Sequence, residues 1–401
     1  MGGPASTIPP RAGTRPLRVL HATPAFAPAY RYGGPIRSVE GLVVELARRG
    51  LDVRVLTTDA HGHERLSSRP GWQSWRGVPV RYLRRWAKPD LAPALLWEAY
   101  LEARRSDVVH VMALFSAPSM VGLLAAQLAG KPVVLSPRGV LEPVALEMAS
   151  AQRKRAWLRA FAPALRRVTL FHATSAAEAE SIARVLGPTV RVRVVPNGAD
   201  LEPRDVAAIR KGRAPPTPWI GTLGRLHPIK ALDRLLEAAV ILRARGVDLE
   251  VVLAGPPSDD AACLAELDRL ASRPELEGRV HFPGELAGEA KLEFLAWCRV
   301  LCLPSHSENF GNVVVESLAC LTPVVAAHGT PWGELESCGA GRWVENTPAS
   351  LADALEPYLR DPSLAAGAGE HGRSLVEQRY NWAAVAGAME EVYEEAIRLG
   401  G

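Results

Sequence analysis

Residues 17–57, LRVLHATPAFAPAYRYGGPIRSVEGLVVELARRGLDVRVLT, determine the fold class that the chain is expected to adopt. A short run rich in Val and Leu at 17–21 precedes a loop and a helical pattern from Ile36 to Arg49, which Gly50 ends. A second apolar run follows at 53–57. This order predicts a βαβ unit, in which a helix connects two parallel strands.

The same alternation continues along the chain and predicts two α/β domains. Further strands are expected at 108–111, 133–136, 170–173 and 192–196, and then at 219–223, 249–254, 280–282, 300–303 and 323–326. Helices are expected at 232–245, at 264–272 and throughout the sequence after Ser350. The predicted strands are apolar on both faces, which is typical of a parallel sheet covered by helices on both sides.

The predicted fold class is therefore α/β, with two doubly wound Rossmann-like domains facing across a cleft, and C-terminal helices. The expected parts are a flexible N-terminal segment (1–16), a first domain (17–200), a linker rich in Pro and charge (201–217), a second domain (218–380) and a C-terminal helix (381–401). That helix could pack back toward the first domain. Ligands of open α/β sheets bind beyond the carboxyl ends of the strands, so a site is expected in the cleft.

Composition places the 401-residue chain among globular proteins, because 48% of its residues are hydrophobic and 22% are charged. No apolar run approaches the roughly 20 residues of a membrane span, and no apolar signal core follows the start of the sequence. The five cysteines form no CxxC pair. Reduced thiols in a cytoplasmic protein are the expectation for them.

The net charge of +4 conceals opposite charges in the two halves. Residues 1–200 carry 28 Lys and Arg against 14 Asp and Glu, whereas residues 201–401 carry 19 against 29. A basic first half indicates an anionic substrate or surface as its partner. Ordinary solvated basic helices would give the same count.

The most specific motif is CLPSHSENFGNVVVE at 302–316, which reads as a strand, a turn and a helix. Glu308 lies in the turn and Glu316 on the second turn of the helix. A helix N-terminus attracts anions, and carboxylates accept hydrogen bonds from sugar hydroxyls. The segment could therefore hold a phosphate and a polyol together, although solvated acids would show the same spacing.

Two glycine turns follow other predicted strands. In GTLGRLHPIK at 221–230, Gly224 precedes Arg225, and Lys230 precedes the next helix; these cations could neutralise a diphosphate without a metal. In YGGP at 32–35, Gly33 and Gly34 allow a ligand to approach the backbone closely. Both segments could also be plain surface turns. The GAGEHG segment at 367–372 lacks a preceding strand and is not a dinucleotide fingerprint.

With these motifs, the sequence resembles glycosyltransferase family 4, the retaining group with the GT-B fold, nearly from end to end. The segment from Glu308 to Glu316 resembles the E-x7-E motif of that family. Supporting segments are YGGPIRS at 32–38, SPRG at 136–139, VPNG at 195–198, AGP at 254–256 and RYNW at 379–382.

The resemblance implies that Arg225 and Lys230 bind the diphosphate of a nucleotide-sugar donor, with UDP or GDP as its nucleotide. Glu308 would act with them in catalysis. The transferred sugar would contact Glu308 and the segment Asn309, Phe310, Gly311 and Asn312, next to Gly224, while Glu316 would bind the ribose. Gly33 and Gly34 would close over the diphosphate. Neither a cofactor nor a metal is implied, and acceptor attack would occur on the face that the leaving group departs from.

The resemblance departs from the family pattern on the acceptor side. Many relatives carry His-x-His after the fourth strand, whereas this chain has His110, Val111 and Met112. Met112 cannot donate a hydrogen bond, and alternation along the strand is taken to place His110 on the wrong side to replace it. His110 is expected to be a core residue. Arg138 is a further candidate on the acceptor side.

The expected partners are the donor and a sugar, lipid-linked or small-molecule acceptor, in the assembly of a glycan, polysaccharide or glycolipid; nucleic acid is not expected. Arg153, Lys154, Arg155, Arg159, Arg166 and Arg167 could bring the chain to an anionic membrane at the inner face, or they could simply be solvated. Two other functions are compatible with the motifs: a catalytically silent nucleotide-sugar binding protein, and a two-Rossmann epimerase or phosphorylase.

Overall fold

The structure is a computed structural model that describes residues 15–62, 64–67, 71–86, 92, 94–147, 150–201, 206, 209 and 215–400. The predicted flexible segment at 1–16 lies almost entirely outside the described residues, as does most of the predicted linker at 201–217. The chain divides into two compact units. Unit 1 comprises Met1–Gly198 and Trp382–Gly401, and unit 2 comprises Ala199–Asn381.

Unit 1 is built on a mostly parallel sheet. Its strands are β1 (Arg18–Ala22), β2 (Asp52–Thr58), β3 (Ala60–His61), β4 (Glu64–Arg65), β5 (Gly71–Trp75), β6 (Val78–Leu83), β7 (Val108–Met112), β8 (Val133–Ser136), β9 (Leu170–Ala173) and β10 (Val192–Val194). Its first six helices are α1 (Gly34–Arg48), α2 (Leu95–Arg105), α3 (Ala117–Leu128), α4 (Pro143–Glu147), α5 (Ala151–Leu165) and α6 (Ala176–Leu186).

The main sheet of unit 1 has the strand order β10-β9-β8-β7-β1-β2-β6-β5. Strand β1 has β2 on one side and β7 on the other, so the chain changes direction across the sheet between β1 and β7. Such a switch point is where open α/β sheets bind ligands. His21, His110 and Met112 lie on these two strands.

The edge of this sheet contains an antiparallel hairpin that the sequence analysis did not predict. Strands β5 and β6 are joined by Arg76 and Gly77, which both have positive φ, 49° and 89°. Two successive residues with positive φ form the tight turn that suits the twist of a hairpin. The usual sequence signal for this turn is Asn or Asp before Gly, and arginine in that place conceals it.

Unit 2 contains a second, fully parallel sheet of the order β13-β12-β11-β14-β15-β16. Its strands are β11 (Trp219–Leu223), β12 (Glu250–Ala254), β13 (Val280–Gly284), β14 (Cys298–Leu303), β15 (Val324–Ala327) and β16 (Gly341–Val344). Its helices are α7 (Leu232–Ala244), α8 (Ala261–Ala271), α9 (Gly288–Trp297), α10 (Asn312–Ala319), α11 (Glu334–Ser337), α12 (Pro348–Arg360) and α13 (Pro362–Leu375). The switch point of this sheet lies between β11 and β14.

One sequence prediction about unit 2 is confirmed. The GAGEHG segment lies inside α13 and follows no strand. All five cysteines carry free thiols; Cys298, Cys302 and Cys320 are buried, whereas Cys263 and Cys338 are partly exposed. Among the described helices of both units, none combines the length and the apolarity that crossing a bilayer requires.

The last helix, α14 (Trp382–Gly400), belongs to unit 1, where Val385, Met389 and Tyr393 are buried against α1. Trp382 at its start lies over two glycines. A Cβ atom on Gly41 of α1 would lie 2.2 Å from the Trp382 ring, and one on Gly198 would lie 2.5 Å from it. The Trp382 indole therefore packs directly against the backbone of these two glycines.

We predict that Gly41→Ala lowers the free energy of unfolding by about 1–3 kcal/mol, because the added methyl group overpacks the contact with Trp382. Alanine is the better helix former by about 1 kcal/mol, so a loss of stability would have to come from the indole. Gly387→Ala on α14 is the matched control, since its nearest neighbour is Arg49 Nη2 at 3.6 Å. Urea unfolding should show a gain for the control, and equal stability of the two variants would contradict this packing.

Candidate functional site

The site in unit 2 begins where β14 ends, at Leu303, and continues to Asn312, the first residue of α10. Gly311 caps the helix with φ +81°. A Cβ atom on it would lie 3.0 Å from Leu303 Cδ2 and 3.1 Å from Glu308 Cγ. Glycine is therefore required here for both its backbone conformation and the space that it leaves, and it fixes the turn that carries Glu308.

Lys230 and Glu308 form an ion pair between the Nζ and Oε2 atoms, although they lie 78 residues apart in sequence. Lys230 ends the short 3-10 turn Pro228–Lys230 that follows β11. Ser305 Oγ donates to the same carboxylate oxygen at 3.4 Å. The pair is less than a quarter exposed. The two segments that the sequence analysis singled out therefore meet at the switch point of the sheet.

One backbone hydrogen bond joins these two loops, and a second joins the loop of Glu308 to the loop after β15. The N–H of His306 donates to the carbonyl of Ile229 at 2.8 Å, and the N–H of Glu308 donates to Gly329 at 3.0 Å. His227 Nδ1 accepts from the N–H of Ile229 at 3.2 Å and caps the turn before Lys230. The sequence analysis did not assign these capping contacts.

Gly224 and Arg225 directly follow β11, at the same edge of the sheet as Lys230 and Glu308. A Cβ atom on Gly255 would lie 1.9 Å from the Gly224 carbonyl oxygen, so the two loop backbones touch there. This close approach explains the AGP segment. Arg225 is exposed and forms no ion pair with any residue that the structure describes. Its guanidinium belongs to the residue after Gly224, where a Cβ atom would lie 3.5 Å from Lys230 Cε.

An aromatic cluster packs against the turn that carries Glu308. Phe310 is 5% exposed, and its ring centroid lies 5.1 Å from that of Trp332 and 6.0 Å from that of Tyr380. Trp332 Nε1 donates to the Phe310 carbonyl, and the Tyr380 hydroxyl donates to Glu334. Phe310 is therefore an anchor for the backbone at Asn309 and Gly311. Neither Trp332 nor Glu334 stands in a motif, so the sequence analysis missed both.

Glu316 lies on the second turn of α10, as predicted, and pairs with Lys291 of α9 at 2.6 Å. Each acid of the E-x7-E motif thus contacts one lysine ammonium. The Glu316 side chain is a quarter exposed and that of Lys291 is 17% exposed. Lys291 carries no sequence signal, because only the packing of α9 beside α10 brings it near the motif.

In unit 1, Gly33 and Gly34 lie at the start of α1, after the loop that follows β1. Gly33 has φ +74° and ψ −143° and precedes the first residue of α1, Gly34. A side chain at Gly33 would meet open space, so its backbone conformation rather than crowding favours glycine. The Tyr32 hydroxyl accepts the Gly62 N–H at 3.0 Å and steadies the segment.

A buried chain of polar side chains crosses the switch point of unit 1. Tyr393 Oη lies 2.8 Å from His110 Nδ1, and His110 Nε2 lies 2.7 Å from Ser136 Oγ. Ser136 Oγ is in turn 2.7 Å from His172 Nδ1, and His172 Nε2 donates to the Val195 carbonyl at 2.8 Å. His110 is therefore a core residue, as the sequence analysis expected.

The Val195 carbonyl sets the direction of these hydrogen bonds when both imidazoles are neutral. Since Val195 offers only a carbonyl, His172 carries its proton on Nε2 and accepts at Nδ1 from Ser136. Ser136 then accepts from His110 Nε2, and His110 Nδ1 accepts the Tyr393 hydroxyl proton. With both imidazoles neutral, each link of this chain therefore has one donor and one acceptor.

One expectation about His110 is wrong. Alternation places residues two apart on the same face of a strand, and His110 shares its face with Met112: His110 bonds to Tyr393, and Met112 packs in the cluster that contains Tyr393. What separates the two is their depth along β7. Met112 is nearer the carboxyl end of the strand.

Met112 and Arg138 lie in contact at that end. Met112 is 2% exposed, and its sulfur lies 3.7 Å from Arg138 Nη2. Arg138 Nη1 donates to Asn197 Oδ1 at 2.6 Å, and its backbone has φ +62°. The Glu178 carboxylate interacts with the Arg138 charge, but it accepts its hydrogen bonds from Gly139 and Thr174 and not from the guanidinium. The guanidinium thus has polar neighbours without an ion pair among the described residues.

Burial and the charge of Arg138 act together on the histidines. Burial first, and then Arg138, lower the pKa of His21 to about 3 and that of His172 to about 3. Burial also places the pKa of His110 well below its ordinary value. Burial likewise lowers the pKa of Arg138 itself. All three imidazoles are therefore neutral near pH 7.

Comparison with known proteins gives a consistent family. Residues 207–394 match the family described as glycosyl transferases group 1, and residues 33–198 match the glycosyl transferase 4-like domain. A D-inositol 3-phosphate glycosyltransferase of Kineococcus radiotolerans is 30% identical over 95% of this chain and 95% of its own. A D-inositol 3-phosphate glycosyltransferase 2 of Catenulispora acidiphila is 28% identical over 95% and 94%.

Solved structures with the same fold cover nearly the whole chain. Anabaena Alr3699/HepE in complex with UDP and glucose has a TM-score of 0.72 at 21% identity, covering 94% of this chain and 99% of its own. Sucrose-phosphate synthase from Thermosynechococcus elongatus has a TM-score of 0.69 at 20% identity, covering 95% and 98%. These likenesses confirm the predicted fold class of two Rossmann-like domains.

The neutral histidines predict a loss of stability in acid. Because their pKa values are lower in the folded than in the unfolded protein, the unfolded chain binds more protons below about pH 6.5. As the pH is lowered, the free energy of unfolding should therefore decrease, by up to about 1.4 kcal/mol per pH unit for each histidine. Urea unfolding at several values between pH 7.5 and 5.5 measures the slope. His172→Gln should reduce it, and parallel curves for the variant and the wild type would contradict the assignment.

Proposed function

The chain belongs to the group 1 glycosyl transferases, and from this premise we propose that it transfers a sugar from a nucleotide-diphosphate sugar to a hydroxyl of an acceptor. The transfer retains the anomeric configuration and uses no metal ion. The observation that carries the proposal is the Lys230–Glu308 pair beside the exposed Arg225. It combines cations for a diphosphate with a carboxylate for sugar hydroxyls.

Arg225 and Lys230 would bind the donor diphosphate. The guanidinium can form two parallel hydrogen bonds with phosphate oxygens, and the ammonium adds a compact charge. As the bond between the anomeric carbon and the phosphate oxygen breaks, negative charge grows on the leaving group. Fixed cations in a partly dehydrated site stabilise that charge without further reorganisation.

Glu308 and Glu316 would hold the other parts of the donor. The Glu308 carboxylate would accept hydrogen bonds from the sugar hydroxyls, and the backbone N–H groups of Asn309 to Gly311 would donate to them. Glu316 would bind the ribose. The lysine contacts of both carboxylates restrict their rotamers before the donor arrives. Such fixed orientation is the usual source of rate enhancement where bond making needs little help from the protein.

Retention would follow from attack on the face that the leaving group departs from. The acceptor oxygen forms a bond to the anomeric carbon while the carbon–oxygen bond to phosphate breaks. The acceptor proton passes to the departing phosphate oxygen, which receives the bonding electron pair. No protein nucleophile or external base is needed, so the protein supplies positioning and charge.

The acceptor side would fall to unit 1, where Met112, Arg138 and the buried His110 lie at one switch point. A sugar, lipid-linked or small-molecule acceptor fits the proposal, in glycan, polysaccharide or glycolipid assembly. UDP in the complexes of Alr3699/HepE supports a UDP-linked donor, with GDP as the alternative. The five free thiols support a cytoplasmic location.

We predict that Arg225→Ala and Lys230→Ala each lower kcat/KM by roughly 30- to 1,000-fold, as the loss of one donor to a developing oxyanion does elsewhere. A thermal-shift screen of nucleotide-sugars identifies the donor, and mass spectrometry of the products measures transfer. Arg234→Ala is the control, because Arg234 stands on α7 and pairs with Asp233 at 3.8 Å. Nearly normal transfer by either site variant would reject the phosphate site.

We also predict that transfer survives an excess of EDTA, because Arg225 and Lys230 supply the positive charge that a divalent cation supplies in other transferases. The initial rate with and without chelator is the measurement. If EDTA abolished transfer and Mg²⁺ or Mn²⁺ restored it, metal independence would be wrong while the donor site could stand.

A further inference from the structure

The surface of α5 carries uncompensated positive charge. Residues 151–167 contain no Asp or Glu. Five of their basic side chains are exposed and form no ion pair with any described residue. These residues, called the basic face below, are Arg153, Arg155, Arg159, Arg166 and Arg167.

Elsewhere in unit 1, arginines are commonly matched by carboxylates. Arg49 pairs with Glu390 at 3.0 Å, and Arg193 pairs with Glu395 at 2.6 Å. The basic face therefore differs from these other arginines in having no carboxylate partner among the described residues. Its charges remain available to an anionic partner.

The opposite side of α5 is firmly packed, so the basic face has a fixed orientation. The Trp157 ring lies 4.9 Å from Phe115 and 4.6 Å from Phe161, and Ala164 and Leu165 are buried. At 3.6 residues per turn, Arg155, Arg159 and Arg166 fall on the opposite side of the helix from these packed residues, whereas Arg153 lies one turn before Trp157 and is exposed near the start of the helix. The arginines are thus held on the outside of unit 1.

Large apolar side chains are exposed on the same layer of helices. Helices α2, α3 and α5 pack on one face of the sheet, and Gln127 of α3 donates to the Ala164 carbonyl of α5 at 2.7 Å. The exposed apolar residues of α2 and α3 are Leu96, Trp97, Leu124 and Leu128. Trp97 is 63% exposed and Leu128 is 72% exposed.

We propose that this helical layer, the basic face together with Trp97 and Leu128, binds reversibly to an anionic lipid bilayer. Arginines attract the charged headgroups, and tryptophan and leucine side chains enter the boundary between headgroups and acyl chains. A soluble polyanion would satisfy the arginines alone and leave the apolar side chains in water. This surface deepens the proposed function, since it would bring the acceptor side of the enzyme to a lipid-linked acceptor.

Sedimentation with vesicles tests the proposal without any turnover, so that it and the proposed function can fail independently. We expect the protein to bind vesicles of phosphatidylcholine with about a quarter phosphatidylglycerol at low salt, and to bind phosphatidylcholine alone far more weakly. Arg153→Gln, Arg155→Gln and Arg159→Gln together should weaken binding roughly 100-fold, about fivefold for each charge.

The matched control removes the same three charges elsewhere in unit 1. Arg31, Arg48 and Arg76 are more than half exposed and paired with glutamates, and their combined change to Gln should leave vesicle binding unchanged. Thermal melting checks that both triple variants fold. Equal losses in the two triple variants would show a net-charge effect and overturn the proposal.

The apolar contribution is tested at high salt, where charge attraction is screened. Trp97→Ser with Leu128→Ser should remove the vesicle binding that remains there. If this variant bound like the wild type, and heparin or DNA competed fully with the vesicles, the surface would be a polyanion site. Failure of the wild-type protein to sediment with anionic vesicles at low salt would overturn the proposal outright.

Discussion

The ion pair between Lys230 and Glu308 connects the two loops on which the rest of the site in unit 2 depends. The strands before these loops, β11 and β14, are neighbours in the sheet although a long stretch of chain separates them. Parallel strands end at a common edge, so the topology brings lysine and carboxylate together. Gly311 and the aromatic cluster around Phe310 then fix the carboxylate, and the touching backbones of Gly224 and Gly255 fix the cation loop.

Unit 1 solves a different electrostatic problem at its own switch point. Two neutral imidazoles, a serine and a tyrosine form a buried chain of hydrogen bonds there, and the tyrosine hydroxyl lies 3.3 Å from Nε2 of a third neutral imidazole, His21. A charge in this chain would be buried and would also face Arg138. Burial and Arg138 both disfavour protonation, so the network is stable only as an uncharged unit. Unit 2 therefore places charged side chains at the carboxyl ends of its strands. Unit 1 keeps the buried groups of its core neutral and has one guanidinium, that of Arg138, at the carboxyl end of its strands.

The sequence was informative where a residue type served a local requirement. The βαβ order, both glycine turns and the spacing of Glu308 and Glu316 follow from periodicity and turn chemistry, which act over a few residues. Contacts between distant segments carried no such signal. Lys291 meets Glu316 through helix packing, Trp332 meets Phe310 through the order of the strands, and Arg76 conceals a hairpin turn. The roles of Arg225, Lys230 and both glutamates toward a donor stay predictions, because geometry shows proximity and not occupancy.

Met112 is best understood from its neighbours rather than from the histidine that many relatives carry there. Its sulfur lies against Arg138, whose charge already lowers the pKa of the nearby histidines. A soft, uncharged thioether can accept a weak hydrogen bond from the guanidinium. An additional imidazole would need a hydrogen-bond partner at a position that is 2% exposed, and in its charged form it would repel Arg138. The methionine and the histidine chain thus meet the same requirement, because the groups buried near Arg138 in unit 1 are polarizable or neutral and add no second positive charge.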